Sequence, residues 1–480
     1  LAGETAIYGL GTMVPRFLNY LLVPFYTYLV FDQAEYGQIT VLYSWVALLL
    51  VILTYGMETS FFRYVSKSDR PQQVFNTATS SLLITSVLFA ILVFIFVEPI
   101  AHLINYPSNK EYILYIGIII AVDAFTSLPF AQLRYQNKAK RFSAIRVLSV
   151  VITIFFNLLF LWVIPALAGN KLNQLPLYGD TSMVTFVFIA NTLGSVATLL
   201  MLLPEMKGFK LTLDIPLLRK MLAYGLPILV ISLTGMINEV ADKIFLKHLL
   251  PDPETADAQL GIYSASYKLA IIMMLFIQMF RYAAEPFFFA EADKQDAKKI
   301  YSKVLTYFVI FCWMIFLGVM LFLDVFKYFI GPAFWAGLAI VPIILSAKLF
   351  LGVFYNLSVW YKLTNKTLYG AIIAIIGSVI TIVLNIIWIP KYGYMGAAWA
   401  NFVCYLSIML ISFIWGQRIY KIKYEYFKLI FYSVLAVAIY FMAQFVYEKT
   451  AINHLITGSL LMVVFLSAIY LFEIRKKPVL

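Results

Sequence analysis

Long apolar stretches of this chain are separated by short polar gaps, and every second gap is rich in lysine and arginine. One set holds Arg63, Lys67 and Arg70; Arg134, Lys138, Lys140, Arg141 and Arg146; Lys207, Lys210, Arg219 and Lys220; Lys294, Lys298, Lys299 and Lys303; Lys362 and Lys366; Arg418, Lys421, Lys423 and Lys428; and Arg475, Lys476 and Lys477. The gaps between them hold at most one lysine each: Lys110, Lys171, Lys247, Lys327, Lys391 and Lys449. A chain threaded repeatedly through a bilayer acquires this alternation, because its positive loops stay on the cytoplasmic side. The expectation is an all-α polytopic membrane protein with both termini cytoplasmic.

Composition agrees. Hydrophobic residues make up 62% of the chain and charged residues 12%, against roughly 25% charged in a soluble domain. A net charge of +12 would suggest nucleic acid in a soluble protein. Here the basic residues sit in short loops at membrane edges, where anionic lipid headgroups are the nearer partner, so no nucleic-acid partner is expected. Cys312 and Cys404 lie in apolar stretches, and His102, His248 and His454 are far apart. That spacing offers no metal or disulfide framework.

About 20 apolar residues cross the hydrocarbon core as a helix. About fourteen such stretches are expected, roughly 6–30, 39–62, 74–97, 113–133, 143–165, 183–203, 223–248, 260–289, 301–323, 336–361, 368–390, 393–416, 427–446 and 453–472. The first is long enough to span and lacks a cleavage pattern, so it reads as a signal-anchor.

The chain also repeats itself. Tyr8-Gly9-Leu10 returns as Tyr224-Gly225-Leu226, and Gly37 with Tyr43 as Gly261 with Tyr267. Asn137-Lys138 returns as Asn365-Lys366, and Ile152-Thr153-Ile154 with Asn157 as Ile380-Thr381-Ile382 with Asn385. Six spans separate the copies, so both enter the membrane from the same side. Two pseudo-symmetric six-helix halves are expected, 1–203 and 223–419, joined by a cytoplasmic linker, 204–222, and followed by two appended helices in 420–480. No loop is long enough to fold as a domain, so function must reside in the spans.

Ten charges fall within spans: Arg16, Lys243, Lys268, Arg281 and Lys348, with Glu58, Asp123, Glu239, Asp242 and Glu285. Each costs about 2.5 to 3.5 kcal/mol facing lipid at a helix centre, and the sum exceeds the roughly 5 to 15 kcal/mol that holds a protein folded. They must largely face protein or water. Ser232, Gly235, Glu239 and Asp242 share one helical face, and Lys243 follows Glu239 by four residues, in the favourable orientation for an ion pair. Gln278, Arg281 and Glu285 repeat that geometry. Arg16, Asp123 and Lys348 have no opposite charge on their own span.

The stretch from Asn385 through Pro390, Gly393 and Gly396 to Ala400-Asn401 resembles the hairpin between spans eleven and twelve of bacterial oligosaccharide flippases. These belong to the multidrug, oligosaccharidyl-lipid and polysaccharide exporter superfamily. Pro390 should end one helix, Gly393 permit a tight outer turn, and the small residues let the next helix pack closely. Asp242-Lys243, the run from Leu260 to Ala270, and the opening from Tyr8-Gly9-Leu10-Gly11 through Pro15-Arg16 to Glu35-Tyr36-Gly37 resemble the same family.

The resemblance covers essentially the whole chain. It implies movement of an undecaprenyl-pyrophosphate-linked oligosaccharide across the bacterial cytoplasmic (inner) membrane for lipopolysaccharide, capsule or exopolysaccharide assembly. The implied partners are the lipid-linked oligosaccharide, membrane lipids and polysaccharide polymerase machinery; no cofactor is implied. A cationic cavity working by alternating access would use Arg16, Lys268, Arg281 and Lys348 on the substrate headgroup. Asp123, Glu239 and Asp242 would either bind H⁺ or Na⁺ or act as static counter-ions, the second role extending to Glu58, Lys243 and Glu285.

A drug or cation antiporter of the superfamily is one alternative, though five embedded cations oppose it. A lipid II flippase is another, which the sequence separates poorly. A membrane enzyme of glycan assembly is more distant, since the chain has neither a large outer loop nor a nucleotide or nucleophile motif.

The loop pattern makes a topological prediction. Single cysteines at Arg141, Lys299 and Lys423 should all resist an impermeant thiol reagent applied from outside, and those at Asn173, Asp257 and Glu448 should react. Labelling at position 299 from outside would contradict the arrangement.

Overall fold

The computed structural model describes residues 2–179, 181–292, 294–449 and 453–475; Lys476 and Lys477 of the last basic cluster lie outside the described residues. Among those described, every regular element is helical. The principal helices are α1 (Ala2–Tyr20), α2 (Gln33–Thr54), α3 (Met57–Val65), α4 (Pro71–Ile95), α5 (Lys110–Tyr135), α6 (Ala139–Leu158), α7 (Met183–Leu202), α8 (Ile215–Leu249), α9 (Pro253–Leu269), α10 (Ile271–Glu291), α11 (Ala297–Leu321), α12 (Val341–Leu357), α13 (Thr367–Ile419), α14 (Tyr426–Lys449) and α15 (His454–Ile469). Twelve of the helical stretches are long and apolar enough to cross a membrane. Large apolar side chains such as Phe94, Phe427 and Leu460 stand exposed on their outer faces, as a hydrocarbon solvent allows and water does not. The protein is a multi-pass membrane protein.

The difference from fourteen has local causes. The first expected span is divided between α1, the short helix Leu22–Phe25 and a π turn at Tyr26–Val30, and α1 carries Pro15, Arg16 and Asn19. The eleventh and twelfth are the two arms of α13, which meet at Gly393 with φ 57° and ψ −139°. Only glycine adopts that conformation readily. A Cβ on Gly396 would meet the Trp388 carbonyl oxygen at 2.6 Å, and Cys404 Sγ reaches the Gly377 carbonyl at 3.4 Å. The arms therefore fold back on each other, and the expected tight turn is present.

Contacts group residues 1–261 and 262–480 into two compact units. In the first, α2 begins with a reciprocal cap: Asp32 Oδ1 accepts from the Glu35 backbone at 2.8 Å, and Glu35 returns the bond at 3.2 Å. Tyr55 and Gly56, both left-handed, break the helix and start α3 in a new direction. Residues 207–214 run extended along α4. Asn76 Oδ1, Ser80 Oγ and Thr77 Oγ1 accept from the backbones of Lys210, Thr212 and Asp214 at 3.3, 3.1 and 3.3 Å. This row of small polar residues gives alternate amides of the segment hydrogen-bond partners and holds it along α4. Lys138 and Arg141, at 3.1 and 2.8 Å, clamp the buried carboxylate of Glu205.

In the second unit, α12 packs on α13 and α11 on α14. Lys327, at 2.6 Å, holds the Asp324 carboxyl below its ordinary range with help from His454, tying the end of α11 to the start of α15.

The sequence repeat has matching local geometry in both units. Asn137 and Asn365 are left-handed, with φ 57° and 56°. Each lets the following lysine amide reach back to a carbonyl of the last helical turn, Lys138 to Leu133 at 2.9 Å and Lys366 to Tyr361 at 2.8 Å. Asparagine tolerates this helix-ending conformation. Asn157 and Asn385, both buried, donate to the carbonyls of Thr153 and Thr381 at 2.8 and 2.7 Å.

Within the first unit the repeated glycines Gly37 and Gly261 lie backbone to backbone. A Cβ on Gly37 would run into the Asp257 carbonyl, and one on Gly261 into the Gln33 carbonyl. Gly37→Ala or Gly261→Ala should cost about 1 to 3 kcal/mol or more, read as a lowered thermal midpoint in detergent. Gly9→Ala, with nothing within 4 Å of the new carbon, should leave the midpoint unchanged. Equal behaviour of all three variants would contradict the close approach.

Candidate functional site

Pro15 and Arg16 lie on α1, Glu58 on α3, Asp123 and Arg134 on α5, and Arg146 on α6. Arg134 Nη1 meets Glu58 Oε1 at 2.5 Å. Asp123 has Ser195 and Arg146 among the groups acting on it, and Arg146 also feels Glu58, Arg134 and Arg16. Three guanidiniums and two carboxylates thus share one region of the first unit. The Arg146 guanidinium lies 3.9 Å above the Phe130 ring. Its side chain is exposed. Arg16 is exposed as well. A guanidinium held over an aromatic face keeps its edge free for an anion.

Further along the same unit, Asp242 is buried, and Lys243 Nζ reaches its carboxylate at 3.1 Å and the Glu239 carbonyl oxygen at 3.0 Å. One turn on, Lys247 and Asp257 form an ion pair at 2.8 Å with side chains 2% and 6% exposed. Lys247 sits 4.2 Å over the Tyr106 ring, and Tyr106 Oη donates to the other Asp257 oxygen at 2.8 Å. Asp257 is therefore enclosed, and the expectation that it faces outward as a reagent-accessible residue needs correction: Asp252, which is exposed, is the position to label there.

In the second unit, Arg281 and Glu285 lie on α10, one turn apart and 4.0 Å from each other. Glu285 is also bridged by Lys362, from the short helix Val359–Leu363. Arg281 lies 4.9 Å over the Tyr355 ring. These groups and Ser358 line a small open recess. Lys268, at the end of α9, is half-buried. Lys348 is 0% exposed, with its ammonium 5.0 Å from the Tyr267 ring and 4.9 Å from the Tyr405 ring. An ammonium between two aromatic faces is stabilised without leaving the core.

The nominated residues fall into a first-unit set, Arg16, Glu58, Asp123, Glu239, Asp242 and Lys243, and a second-unit set, Lys268, Arg281, Glu285 and Lys348. Sequence reasoning placed Arg146, Arg134 and Lys362 among the loop cations and so missed them as site residues. A signal was present for Arg146: it sits one turn inside the expected fifth span, after Phe142.

The family described as "Polysaccharide biosynthesis protein" matches residues 1–291. No curated protein sequence matches. Among solved structures, a lipid II flippase MurJ in an inward closed conformation superposes with a TM-score of 0.75 at 16% identity, covering 98% of this chain and 100% of that one. An inward-facing multidrug resistance MATE family transporter gives 0.61 at 14%, covering 86% and 94%. The MATE multidrug transporter DinF-BH gives 0.62 at 16%, covering 87% and 94%. At these identities the likeness is one of fold.

The enclosed pair at Lys247 and Asp257 should be structural. Asp257→Asn leaves a buried ammonium without its counter-charge and should destabilise by about 3 to 5 kcal/mol, seen as a fall in membrane abundance. Asp257→Asn with Lys247→Met should recover most of it. Normal abundance of the single variant would contradict the burial.

Proposed function

Because the chain belongs to the polysaccharide biosynthesis protein family, we propose that it is a flippase carrying an undecaprenyl-diphosphate-linked oligosaccharide across the cytoplasmic membrane for surface polysaccharide assembly. The observation that supports this most is the accessibility of Arg146 and Arg281 on membrane-spanning helices, with Arg16 exposed on α1. A guanidinium turned toward hydrocarbon is costly, so accessible ones mark hydrated space. The ligand that needs cations there is one whose phosphates must shed water to cross about 30 Å of hydrocarbon.

In this reading the cations of each unit meet phosphate separately: Arg16 and Arg146 in the first and Arg281 in the second make fork-like contacts, Lys268 adds a point charge in the second unit, and Lys348 supports that unit's field from inside its core. The glycan follows through hydrated space, and the polyprenyl chain stays in lipid. Alternating access moves the headgroup between leaflets. Asp123, Glu239 and Asp242 then compensate the cations or bind a coupling H⁺ or Na⁺. The chain works in the cytoplasmic membrane with both termini inside, alongside the polymerase that uses the exported lipid.

The fold likeness to a lipid II flippase favours a second reading, with lipid II as cargo. Its headgroup has the same diphosphate chemistry. Depletion separates the two: an oligosaccharide-lipid accumulating on the inner leaflet supports the first, and lipid II the second.

Replacing Arg16, Arg146, Lys268 or Arg281 by Gln should lower polysaccharide export by roughly 10- to 100-fold, the effect of losing a hydrogen bond to a charged group, with membrane abundance unchanged. Lys348→Gln should lower export too. Arg281→Gln with Glu285→Gln should not restore it. Surface polysaccharide and immunoblotted protein level measure both quantities; full export by all the single variants would remove the site assignment.

A further inference from the structure

The repeat contains an ion pair that its sequence motifs did not announce. Glu58-Thr-Ser-Phe61-Phe62 and Glu285-Pro-Phe-Phe288-Phe289 share one pattern, a carboxylate three residues before two phenylalanines. Arg134 stands three residues before Asn137, and Lys362 three before Asn365. In the structure, Glu58 bridges Arg134 and Glu285 bridges Lys362.

The surroundings repeat as well. Phe61 is buried edge-on to Phe75, 6.1 Å between centroids, and Phe288 is buried edge-on to Tyr301 at 5.3 Å. Each cation occupies the last turn of its helix, and the left-handed asparagine that ends the turn fixes its position. Each unit also holds a second cation over an aromatic ring, at positions that do not correspond in the repeat: Arg146 over Phe130, acted on by Asp123 and Glu58, and Arg281 over Tyr355, 4.0 Å from Glu285.

These bridges are open. The side chains of Arg134 and Glu58 are 46% and 42% exposed, and those of Lys362 and Glu285 are 28% and 39% exposed. Ion pairs this accessible contribute little to folding, so stability does not account for the same bridge at both copies. A carboxylate bridging a cation, with a second cation 4.0 Å away for Glu285 and acting on Glu58 through its field in the first unit, has the charge sign, the planar acceptor pair and the approximate size of one face of a phosphate. It also keeps the cations compensated when no ligand is bound.

We propose that each repeat carries a phosphate-binding site, Arg134 with Arg146 and Lys362 with Arg281, which its own carboxylate, Glu58 or Glu285, occupies until a phosphate or diphosphate group displaces it. This rests on the flippase reading for the identity of the cargo, whose headgroup would exchange with the carboxylates on entry. The exchange is reversible, so the carboxylates also favour release. Bound too firmly, the headgroup would not leave.

The test is calorimetric titration of the purified protein in detergent with inorganic diphosphate at fixed ionic strength. Glu58→Gln and Glu285→Gln should each bind diphosphate more tightly by roughly tenfold, the scale of one charge-assisted contact. Adding Arg134→Gln to the first variant, or Lys362→Gln to the second, should abolish the gain. Unchanged or weaker binding in both Gln variants, or a gain that persists without the cations, overturns the proposal.

Should the variants prove unstable, hydrogen exchange on the unsubstituted protein decides. Diphosphate, and not chloride of equal ionic strength, should change exchange around residues 58–63, 131–138, 281–289 and 358–366, and no change overturns the proposal. Export is scored separately in the same variants. Tighter diphosphate binding with export unaltered upholds the sites and fails the flippase reading. Unaltered binding with export lost fails the sites and spares that reading.

Discussion

A charge on a membrane-spanning helix must be given a partner or kept in water, and most of this structure follows from meeting that condition. Bilayer hydrocarbon offers no compensation, and leaving even a few charges toward lipid would cost as much as the fold is worth. The chain answers in two ways. Some charges are enclosed: Lys247 with Asp257 under Tyr106, Asp242 with Lys243, and Lys348 between Tyr267 and Tyr405. Others, Arg16, Arg146, Arg281 and the bridges at Glu58 and Glu285, remain reachable. The enclosed groups are suited to holding helices together, and the reachable ones to meeting a polar cargo.

Duplication gives this division its order. The same devices occur in both units: an asparagine ending the fourth or tenth span, a second asparagine bonded to a threonine carbonyl one turn back, and a carboxylate bridging a terminal cation. The copies are not identical. Arginine at position 134 answers to lysine at 362, and Phe75 to Tyr301, so the two halves present related but unequal chemistry.

Much of the fold was legible in the sequence because hydrocarbon thickness sets span length and loop charge sets direction. The hairpin at Gly393 followed from Pro390 and the small residues beyond it. What one dimension did not carry was the rotation of each helix about its axis, which tertiary packing decides. Arg146 was grouped with its loop neighbours because it lies one turn inside a span, and only the packing of α5 on α6 puts it over Phe130. Lys348, nominated as a cavity cation, is buried between Tyr267 and Tyr405, a placement that its position along the span does not carry. Lys247 and Asp257 appeared as isolated outer-loop charges, since the pairing depends on how α8 and α9 meet. Asn76, Thr77 and Ser80 fall inside the expected third span, and what they do appears only with the backbone of Lys210, Thr212 and Asp214 laid along them.

The central claim is that this protein moves a diphosphate-linked glycolipid between leaflets. It is tested most directly in proteoliposomes holding the purified protein and a fluorescent undecaprenyl-diphosphate oligosaccharide, with outer-leaflet exposure followed by an impermeant quencher. The account predicts that the protein makes the inner-leaflet pool accessible to the quencher far faster than protein-free vesicles do, and that a neutral polyprenol bearing the same label gains no such acceleration. Equal rates with and without the protein, in vesicles shown to contain folded protein, would contradict it.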